Sequence, residues 1–549
     1  MSELRRESIS ADRASSEPSR ESHSPKHFTR GFLSCETTGD RARALVCAAF
    51  AALLIAGIID FCCCLVMGPS SLGIMCNPYR LGFFATCLFM AASVFVFRKQ
   101  LGDKPENLFL VMLLCCTCLT SISFSTNRVS WDCSTHFEFM LEFATPDMQN
   151  ELTQAEVNSL VPDPTTRSNI AELNEYNQSL DALDSIDTPQ VATPKASLFN
   201  RVASLPGSAL YLLLTVLGLP FTFKFVATRL IYAVIYALVC FAGMKKLRSG
   251  KMLYAVIAML PTAVFLAANY SYDYWINAFV LYAGATLVGE FQHQEQTISW
   301  KSVVLMLGAF VLAFAPKAVY FPLLLLCLLL PKQKFASKKN LYIYRLLVFA
   351  SIAVLVVSFC APMLLGGLGA GDTRGGGAVN ASAQVAYIMS SPMHFMSTLF
   401  TFSLGYLSLG GTRGFMAFWA YIGYPSFIIW FIIIGLFVVT TITDKDKDDV
   451  ALCTWKNRII ALIVSLITIG IVEAALYVEF TAVGAPTIEG CQPRYLIPLL
   501  FLFLVFLSTP KFGIPRKRFG ITRYNAVILS LLTICLLATE WQLVISLVH

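Results

Sequence analysis

The chain has 549 residues, of which 56% are hydrophobic, and 42 of them are phenylalanine. A water-soluble globule cannot bury that much apolar surface, so the composition indicates a polytopic membrane protein and excludes a large independent soluble domain. The formal net charge of +7 falls in short clusters beside apolar runs. Such clusters are topology signals, and we expect no nucleic-acid partner.

The chain divides into four predicted regions. Residues 1–43, rich in Ser, Arg and Glu, are expected to form a disordered cytoplasmic tail. N-terminal transmembrane helices follow over 44–125, an extracytoplasmic loop over 126–222, and the main transmembrane domain over 223–549. By the length criterion we expect about thirteen crossings. They lie near 44–67, 81–97, 107–125, 224–243, 252–269, 273–290, 301–314, 318–331, 344–366, 422–442, 458–480, 495–509 and 525–546.

Basic clusters set the predicted orientation. Because Lys and Arg near spans mark the cytoplasmic side, we place there the clusters at 98–99, 245–251, 332–345, 456–458 and 516–518. The N-terminus is then cytoplasmic and the C-terminus extracytoplasmic. The apolar stretches 206–220 and 394–411 would break this alternation if they crossed, so we expect re-entrant or amphipathic segments on the outer side.

The long outer loop begins with an acid and a histidine. Asp132 and His136 are four residues apart, so one helical turn would place them on one face. A carboxylate at the membrane surface can deprotonate a hydroxyl, and the imidazole could orient it, hold a metal or bind phosphate. A structural contact is the alternative for this pair. The rest of the loop is acidic, and residues 140–200 fit either a small lid or a disordered insertion.

Further polar residues follow in the main domain. Arg229 near a span start suggests a bundle-facing role, with a buried structural pair as the alternative. Asp273 and Asn277 lie among aromatic residues, which anchor membrane interfaces or bind sugars. Lys317 with Tyr320 falls at an outer turn, where a cation is either an interfacial anchor or a phosphate contact.

The last motif places Gln492, Arg494 and Tyr495 at the mouth of an apolar span that runs on to Leu507. The guanidinium of Arg is permanently charged and offers a planar fork of donors that suits phosphate or carboxylate. This motif therefore predicts a phospholipid-type substrate, whereas the alternative is an arginine that reaches the interface or pairs with a helix neighbour. Cys133 and Cys491 flank this candidate site, and they are the pair to test for a disulfide. The cysteine spacing does not match a zinc site.

These motifs occur together, and in the same order, in a family of bacterial multipass proteins that this chain resembles over most of 126–545. The family is catalogued as domain of unknown function 2142 and grouped with the GT-C glycosyltransferase superfamily. The matching features are the acid-and-His motif, Leu205-Pro206-Gly207, Thr228-Arg229-Leu230, Ser271-Tyr272-Asp273 before Asn277, Pro316-Lys317-x-x-Tyr320, Tyr421-Ile422-Gly423-Tyr424-Pro425, and Gly490-x-Gln492-x-Arg494-Tyr495-x-x-Pro498. The last is the most specific of them.

The resemblance implies an all-α, GT-C-like helical bundle that transfers a sugar from a polyprenyl-phosphate donor, with inversion, on the extracytoplasmic side. The acceptor would be an envelope glycan, a lipid-linked glycan or a protein, and membrane lipids would surround the bundle. By position Asp132 is the catalytic carboxylate. The family usually has Asp-Glu where this chain has Asp132-Cys133. The second acid of that pair is absent here, so the resemblance does not decide whether a divalent metal is bound. A divalent metal is the one cofactor that it suggests.

These assignments give each candidate residue a role. Asp132 would be the general base oriented by His136, and Arg494 with Lys317 would stabilise the leaving phosphate. Gln492, Tyr495, Tyr320, Asp273, Asn277 and Arg229 complete the expected substrate site. Two other functions remain: a transporter or flippase for lipid-linked saccharides, and a non-catalytic scaffold for envelope assembly. The sugar and the acceptor stay unspecified.

Overall fold

The computed structural model describes residues 37–124, 129–144, 170–183, 198–366, 378–444, 449–508 and 520–548. Within these ranges the protein is all-helical and has no strand, which confirms the predicted fold class at that level. Among the described residues, seven helices are long and apolar enough to cross a membrane. They are Thr38–Met67, Pro78–Phe97, Glu106–Ser123, Phe221–Met244, Lys338–Cys360, Trp455–Glu479 and Ile521–Leu547.

We number the α-helices in chain order. They are α1 (Thr38–Met67), α2 (Pro78–Phe97), α3 (Glu106–Ser123), α4 (Cys133–Ala144), α5 (Ile170–Leu183), α6 (Leu205–Val216), α7 (Phe221–Met244), α8 (Lys251–Ala258), α9 (Pro261–Ala267), α10 (Asp273–Gln292), α11 (Trp300–Phe314), α12 (Lys338–Gly366), α13 (Ala381–Ser390), α14 (Pro392–Gly405), α15 (Leu409–Met416), α16 (Phe427–Thr443), α17 (Trp455–Glu479), α18 (Ile497–Leu507) and α19 (Ile521–Leu543). A 3₁₀ helix, Ala318–Leu329, lies between α11 and α12.

Side-chain contacts gather the connecting turns at two opposite ends of the helix bundle. At the end that we call the basic end, Lys251 at the start of α8 pairs with Glu106 at the start of α3. At the other, the site end, Arg494 lies beside Asp273 at the start of α10. Asn77, before α2, donates to the carbonyl of Val548, so the described chain ends at the site end. Which end faces the cytoplasm stays a prediction from the charge distribution.

The predicted crossing 252–269 differs from the structure, which has two short helices there. Pro261 has no N–H and begins α9, so the hydrogen-bond ladder of α8 stops at its last turn. Tyr236 satisfies a carbonyl freed at the end of α8, donating to Ala258 O at 2.8 Å, and the Trp419 indole donates to Pro261 O at 2.9 Å beside the break. Both short helices are almost completely buried, so α8 and α9 form the centre of the bundle.

The predicted crossing 318–331 is a twelve-residue 3₁₀ helix with Pro322 inside it. A proline in an α-helix clashes with the carbonyl four residues earlier, which favours the tighter helix here. Its rise of about 2.0 Å per residue gives a span of about 24 Å, whereas an α-helix of this length would span about 18 Å. The shorter apolar helices found at Trp300–Phe314, Phe427–Thr443 and Pro493–Leu507 also coincide with predicted crossings. The total of thirteen stays a prediction.

The segments expected on the outer side form short helices. Stretch 206–220 is largely α6, and 394–411 lies in α14 and the start of α15. Part of the acidic loop is helical, since it contains α5. Asp181 of this helix accepts hydrogen bonds from the backbone N–H and the hydroxyl of Thr222, which connects the loop to α7. The predicted tail up to residue 36, and loop residues 145–169 and 184–197, lie outside the described residues.

Candidate functional site

The turn before α18 fixes Arg494 in place. Gly490 has a φ of +71°, and a Cβ built there would lie 2.6 Å from Phe480 Cδ1, so only glycine fits this position. Gln492 then precedes a single 3₁₀ turn, Pro493–Leu496, that carries Arg494 inward. The Gly-x-Gln-x-Arg spacing is therefore what the local backbone requires.

The Arg494 guanidinium lies between two carboxylates without a close bond to either. Its Nε is 3.5 Å from Asp273 Oδ2, and its Nη2 is 3.8 Å from Asp132 Oδ2. Charge-assisted hydrogen bonds are typically about 2.7–2.9 Å long. The Arg494 side chain is only 3% exposed, yet its Nε and Nη1, and Oδ2 of Asp273, have no hydrogen-bond partner among the described residues. This is a buried cation with unused donors.

Asp132 is the accessible member of the cluster. Its side chain is 39% exposed, against 10% for Asp273. Its backbone has a φ of +51°, a left-handed conformation that costs energy in residues other than glycine and is found often at functional sites. The preceding Trp131 holds its ring 4.4 Å from Arg494 Cζ. One short segment before α4 thus supplies both the half-exposed carboxylate and an aromatic ring that packs against the arginine.

Lys317 adds a second cation to the site. Its Nζ lies 3.1 Å from the ring centroid of Tyr495, and the hydroxyl of Tyr320 donates to the Tyr495 carbonyl at 3.0 Å. The 3₁₀ helix is thereby tied to the turn that carries Arg494. Within this cluster the two cations, Arg494 and Lys317, balance the two carboxylates, so an incoming anion would compete with the carboxylates for the cations.

The other predicted site residues have these positions. His136 packs its ring edge-on to Tyr272, with centroids 4.5 Å apart, and its backbone N–H donates to Asp132 O at 2.9 Å. Asn277 is buried one helical turn after Asp273 on α10. The Gln492 Oε1 is buried and has no hydrogen-bond partner among the described residues. A substrate amide or hydroxyl could satisfy that oxygen.

Arg229, which was predicted to contact the substrate, makes a contact within the helix bundle instead. It is fully buried in α7, and its Nη2 donates to the carbonyl of Phe124 at 2.9 Å, just after α3. The bond satisfies an orphan carbonyl at a helix end, which agrees with the structural alternative. Cys133 and Cys491 are both free thiols, so the structure has no disulfide between them. No group of three potential metal ligands occurs within the described ranges.

An apolar cavity of about 340 Å³ adjoins this cluster. Phe402 and Tyr406 line it from α14 and the turn that follows, and Cys491 and Pro493 line it from the Arg494 turn. The Tyr406 hydroxyl lies 3.0 Å from Cys491 Sγ. Burial raises the pKa of Cys491 to about 11, so its thiol is protonated near neutral pH. The cavity can hold an apolar group next to the buried arginine.

Several residues of this end were not predicted as site residues. Trp131 directly precedes Asp132, and Tyr272 directly precedes Asp273. Their position next to a candidate acid is the feature of the sequence that could have identified them as site residues. Burial raises the pKa of Tyr272 well above its usual value, which keeps this phenol neutral. Glu473 is fully buried in α17; its Oε1 accepts from the Ser403 hydroxyl at 2.7 Å, and its Oε2 has no hydrogen-bond partner in the described part of the chain.

The fold and this cluster define a helical membrane protein that carries a buried cationic site at one end of its bundle. The chain belongs to the family described as Predicted membrane protein (DUF2142), whose family model matches residues 188–503. This range contains Asp273, Lys317 and Arg494, but it begins at residue 188 and therefore does not include Asp132. The match is narrower than the predicted range 126–545. No curated protein and no solved structure matches the chain.

Proposed function

We propose that this protein is a membrane glycosyltransferase of GT-C type that uses a polyprenyl-phosphate-linked sugar as donor. The observation that supports this most is Arg494, a nearly buried cation with two unused donor nitrogens, 3.8 Å from a half-exposed carboxylate. A phosphate oxygen would satisfy those donors, and burial strengthens the attraction because little water screens it. The carboxylate at the same site supplies the base that sugar transfer needs.

The proposed reaction is a single displacement. The acceptor hydroxyl oxygen attacks C1 of the donor sugar while Asp132 takes the hydroxyl proton. The bond between C1 and the phosphate oxygen breaks, and its electron pair stays on the phosphate. Arg494 and Lys317 stabilise this charge as it develops. The configuration at C1 inverts, and polyprenyl phosphate leaves with its apolar chain toward the cavity lined by Phe402 and Pro493.

The test is sugar transfer by the purified full-length protein in liposomes, from a panel of radiolabelled polyprenyl-phosphate monosaccharides. We compare the wild type with Asp132→Asn and Arg494→Ala, and expect each change to lower transfer by about a hundredfold or more. Arg248→Ala is the matched control, because Arg248 pairs with Glu295 at the exposed surface of the basic end. We expect it to change transfer by less than about twofold.

Binding of labelled polyprenyl phosphate separates the two roles. Arg494→Ala should weaken binding, whereas Asp132→Asn should leave binding intact and abolish turnover. If no donor is turned over, or if all variants transfer at the wild-type rate, the glycosyltransferase proposal is wrong.

Transport is the second candidate function, and the buried carboxylate of Glu473 is the observation that favours it. A fully buried carboxylate within a candidate span is costly, and such groups often lie on ion or substrate pathways. Lipid scrambling that is lost in Glu473→Gln, in a protein without sugar transfer, would favour transport. A protein that binds the lipid without either activity would fit the scaffold alternative.

A further inference from the structure

A second cavity, of about 310 Å³, lies at the basic end of the bundle, far from Arg494 along the helices. Lys245 and Lys246 line it just after α7, Thr286 and Glu290 line it from α10, and Ser299 and Ser302 line it at the start of α11. Its volume is at the lower limit of small-molecule sites, which is enough for a headgroup but not for acyl chains.

The walls of this cavity carry two cations in excess. The Glu290 carboxylate is engaged by Lys334, whose Nζ lies 2.8 Å from Oε2 and is 2% exposed. Lys245 and Lys246 have no carboxylate partner among the described residues; their ammonium groups lie 5.2 Å from the Phe241 ring and 5.9 Å from the Tyr282 ring. An anion would therefore meet unpaired positive charge on this wall.

The backbone holds the lysine wall close to α10. Gly289 packs directly against Lys246, because a Cβ there would lie 2.5 Å from the Lys246 carbonyl oxygen. Lys334 also donates to His293 O at 2.9 Å, and its own carbonyl accepts from Ile298 N–H at 2.8 Å. The cavity is thus bounded by a braced turn, and its lysines are presented together.

Another part of the cavity lining carries serine hydroxyls. The Ser299 side chain caps the fifteen-residue helix α11, accepting from Ser302 N–H at 3.1 Å, and the two hydroxyls are also 3.1 Å apart. The helix start adds a favourable field for an anion. Lysines and serine hydroxyls that line one cavity form a combination suited to phosphate oxygens.

The position of the cavity indicates where its ligand comes from. The candidate span α7 ends at Met244, directly before the two lysines, and Trp300 beside the cavity is 42% exposed. Exposed tryptophan at a span end is typical of the membrane interface. Basic pockets between helix ends at this depth bind anionic lipid headgroups.

We propose that this cavity, which we call the Lys245–Lys246 pocket, binds the phosphate-bearing headgroup of an anionic phospholipid. A soluble phosphate compound shares that chemistry, and the experiment below distinguishes the two sources. The proposal does not depend on sugar transfer, because no residue of the Arg494 cluster takes part in it.

The test uses the full-length protein in neutral detergent. Its thermal unfolding midpoint is followed while short-chain phosphatidylglycerol, short-chain phosphatidylcholine or sodium phosphate is titrated. Wild type is compared with Lys245→Gln/Lys246→Gln. Lys301→Gln is the matched control, since Lys301 is exposed on α11 at the same end but does not line the pocket. We expect phosphatidylglycerol to raise the midpoint of wild type and control, and to bind the double variant about thirtyfold more weakly.

Each other outcome is decisive as well. A phosphate response as strong as that to phosphatidylglycerol, and equally dependent on the two lysines, assigns the pocket to a soluble phosphate compound. If the double variant does not fold, the single variant Lys245→Gln, at an exposed position, should weaken binding about fivefold. Equal responses to phosphatidylglycerol and phosphatidylcholine, or equal affinities in wild type and lysine variants, overturn the proposal.

Discussion

The Arg494 cluster and the basic end of the bundle treat buried charge in opposite ways. At the basic end, Lys251 lies 2.8 Å from Glu106, and Lys334 lies 2.8 Å from Glu290. Asp449 accepts from the Ser249 hydroxyl at 2.7 Å. At the site end, the carboxylates nearest Arg494 are 3.5 Å and 3.8 Å away, and donor nitrogens remain unused.

This difference separates stability from function. Buried polar groups are normally hydrogen-bonded, because an unsatisfied one loses its hydration without compensation. The pairs of the basic end obey that rule and connect helices far apart in sequence. The Arg494 cluster departs from it, and the departure is explained if a ligand completes the bonding. The four predictions below test this contrast.

The largest expected effect is on stability, from Lys334→Met. The change leaves Glu290 without its ion pair and His293 O without a donor, so we expect the free energy of unfolding to fall by about 3–5 kcal/mol. Chemical unfolding in detergent measures it. Arg248→Met is the control, because its pair with Glu295 is exposed, so we expect a much smaller loss of stability than for Lys334→Met. Equal losses in the two variants would mean that Lys334 does not stabilise the basic end.

The second prediction concerns Arg494→Lys at the other end. Lysine keeps the charge beside Asp273 but loses the planar fork, so stability should change by less than about 1 kcal/mol. Transfer, however, should fall between about tenfold and a hundredfold, because the leaving phosphate loses a paired contact.

The same two assays on Arg413→Lys provide the comparison for this variant. Arg413 lies at the same end; its Nε also has no hydrogen-bond partner among the described residues, but its Nη2 already donates to Pro425 O at 2.8 Å. Its change should therefore reduce stability and leave transfer almost unchanged. A reversed pattern, with Arg494→Lys unstable and fully active, would make Arg494 a structural residue.

The third prediction concerns the turn that positions Arg494. Gly490→Ala meets both a positive φ and Phe480, so we expect a loss of about 2 kcal/mol in stability together with weaker donor binding. Gly470→Ala in α17 is the control, because nothing lies within 4 Å of a Cβ there. Alanine in that helix should be neutral or stabilising by up to about 1 kcal/mol. Unfolding and lipid-binding titrations of both variants measure the effects.

The sequence predicts most of the residues of the candidate site, but it does not predict the distances between them. Opposite ends of the bundle follow from the charge pattern, so Asp132, Asp273, Lys317 and Arg494 were expected on one side, and the structure brings them together. The spacing of these motifs along the chain does not predict their distances. Those depend on packing between α4, α10 and the Arg494 turn, which are separated by hundreds of residues.

Other features were hidden for local reasons. The break between α8 and α9 at Pro261 lies inside a continuous apolar run, and the bundle tolerates it because the Tyr236 hydroxyl satisfies the freed carbonyl of Ala258. Trp131 was not recognised as a site residue, since aromatic residues at span ends usually anchor the interface. Glu473 lies within an apolar run, and its only hydrogen-bond partner among the described residues is the hydroxyl of Ser403.

The smallest expected effect is that of Cys491→Ala. This variant tests whether the thiol that lines the apolar cavity takes part in the reaction or only contacts the bound lipid. Burial raises the pKa of Cys491 to about 11, so the thiol stays protonated as pH rises from 7 to 9 and is a poor nucleophile there. We therefore expect transfer within about twofold of wild type across this pH range, and a stability change below about 1 kcal/mol. Parallel rate and unfolding measurements decide it. A loss near a hundredfold, with a sugar found on the wild-type cysteine, would replace direct displacement by a covalent intermediate and predict retention at C1.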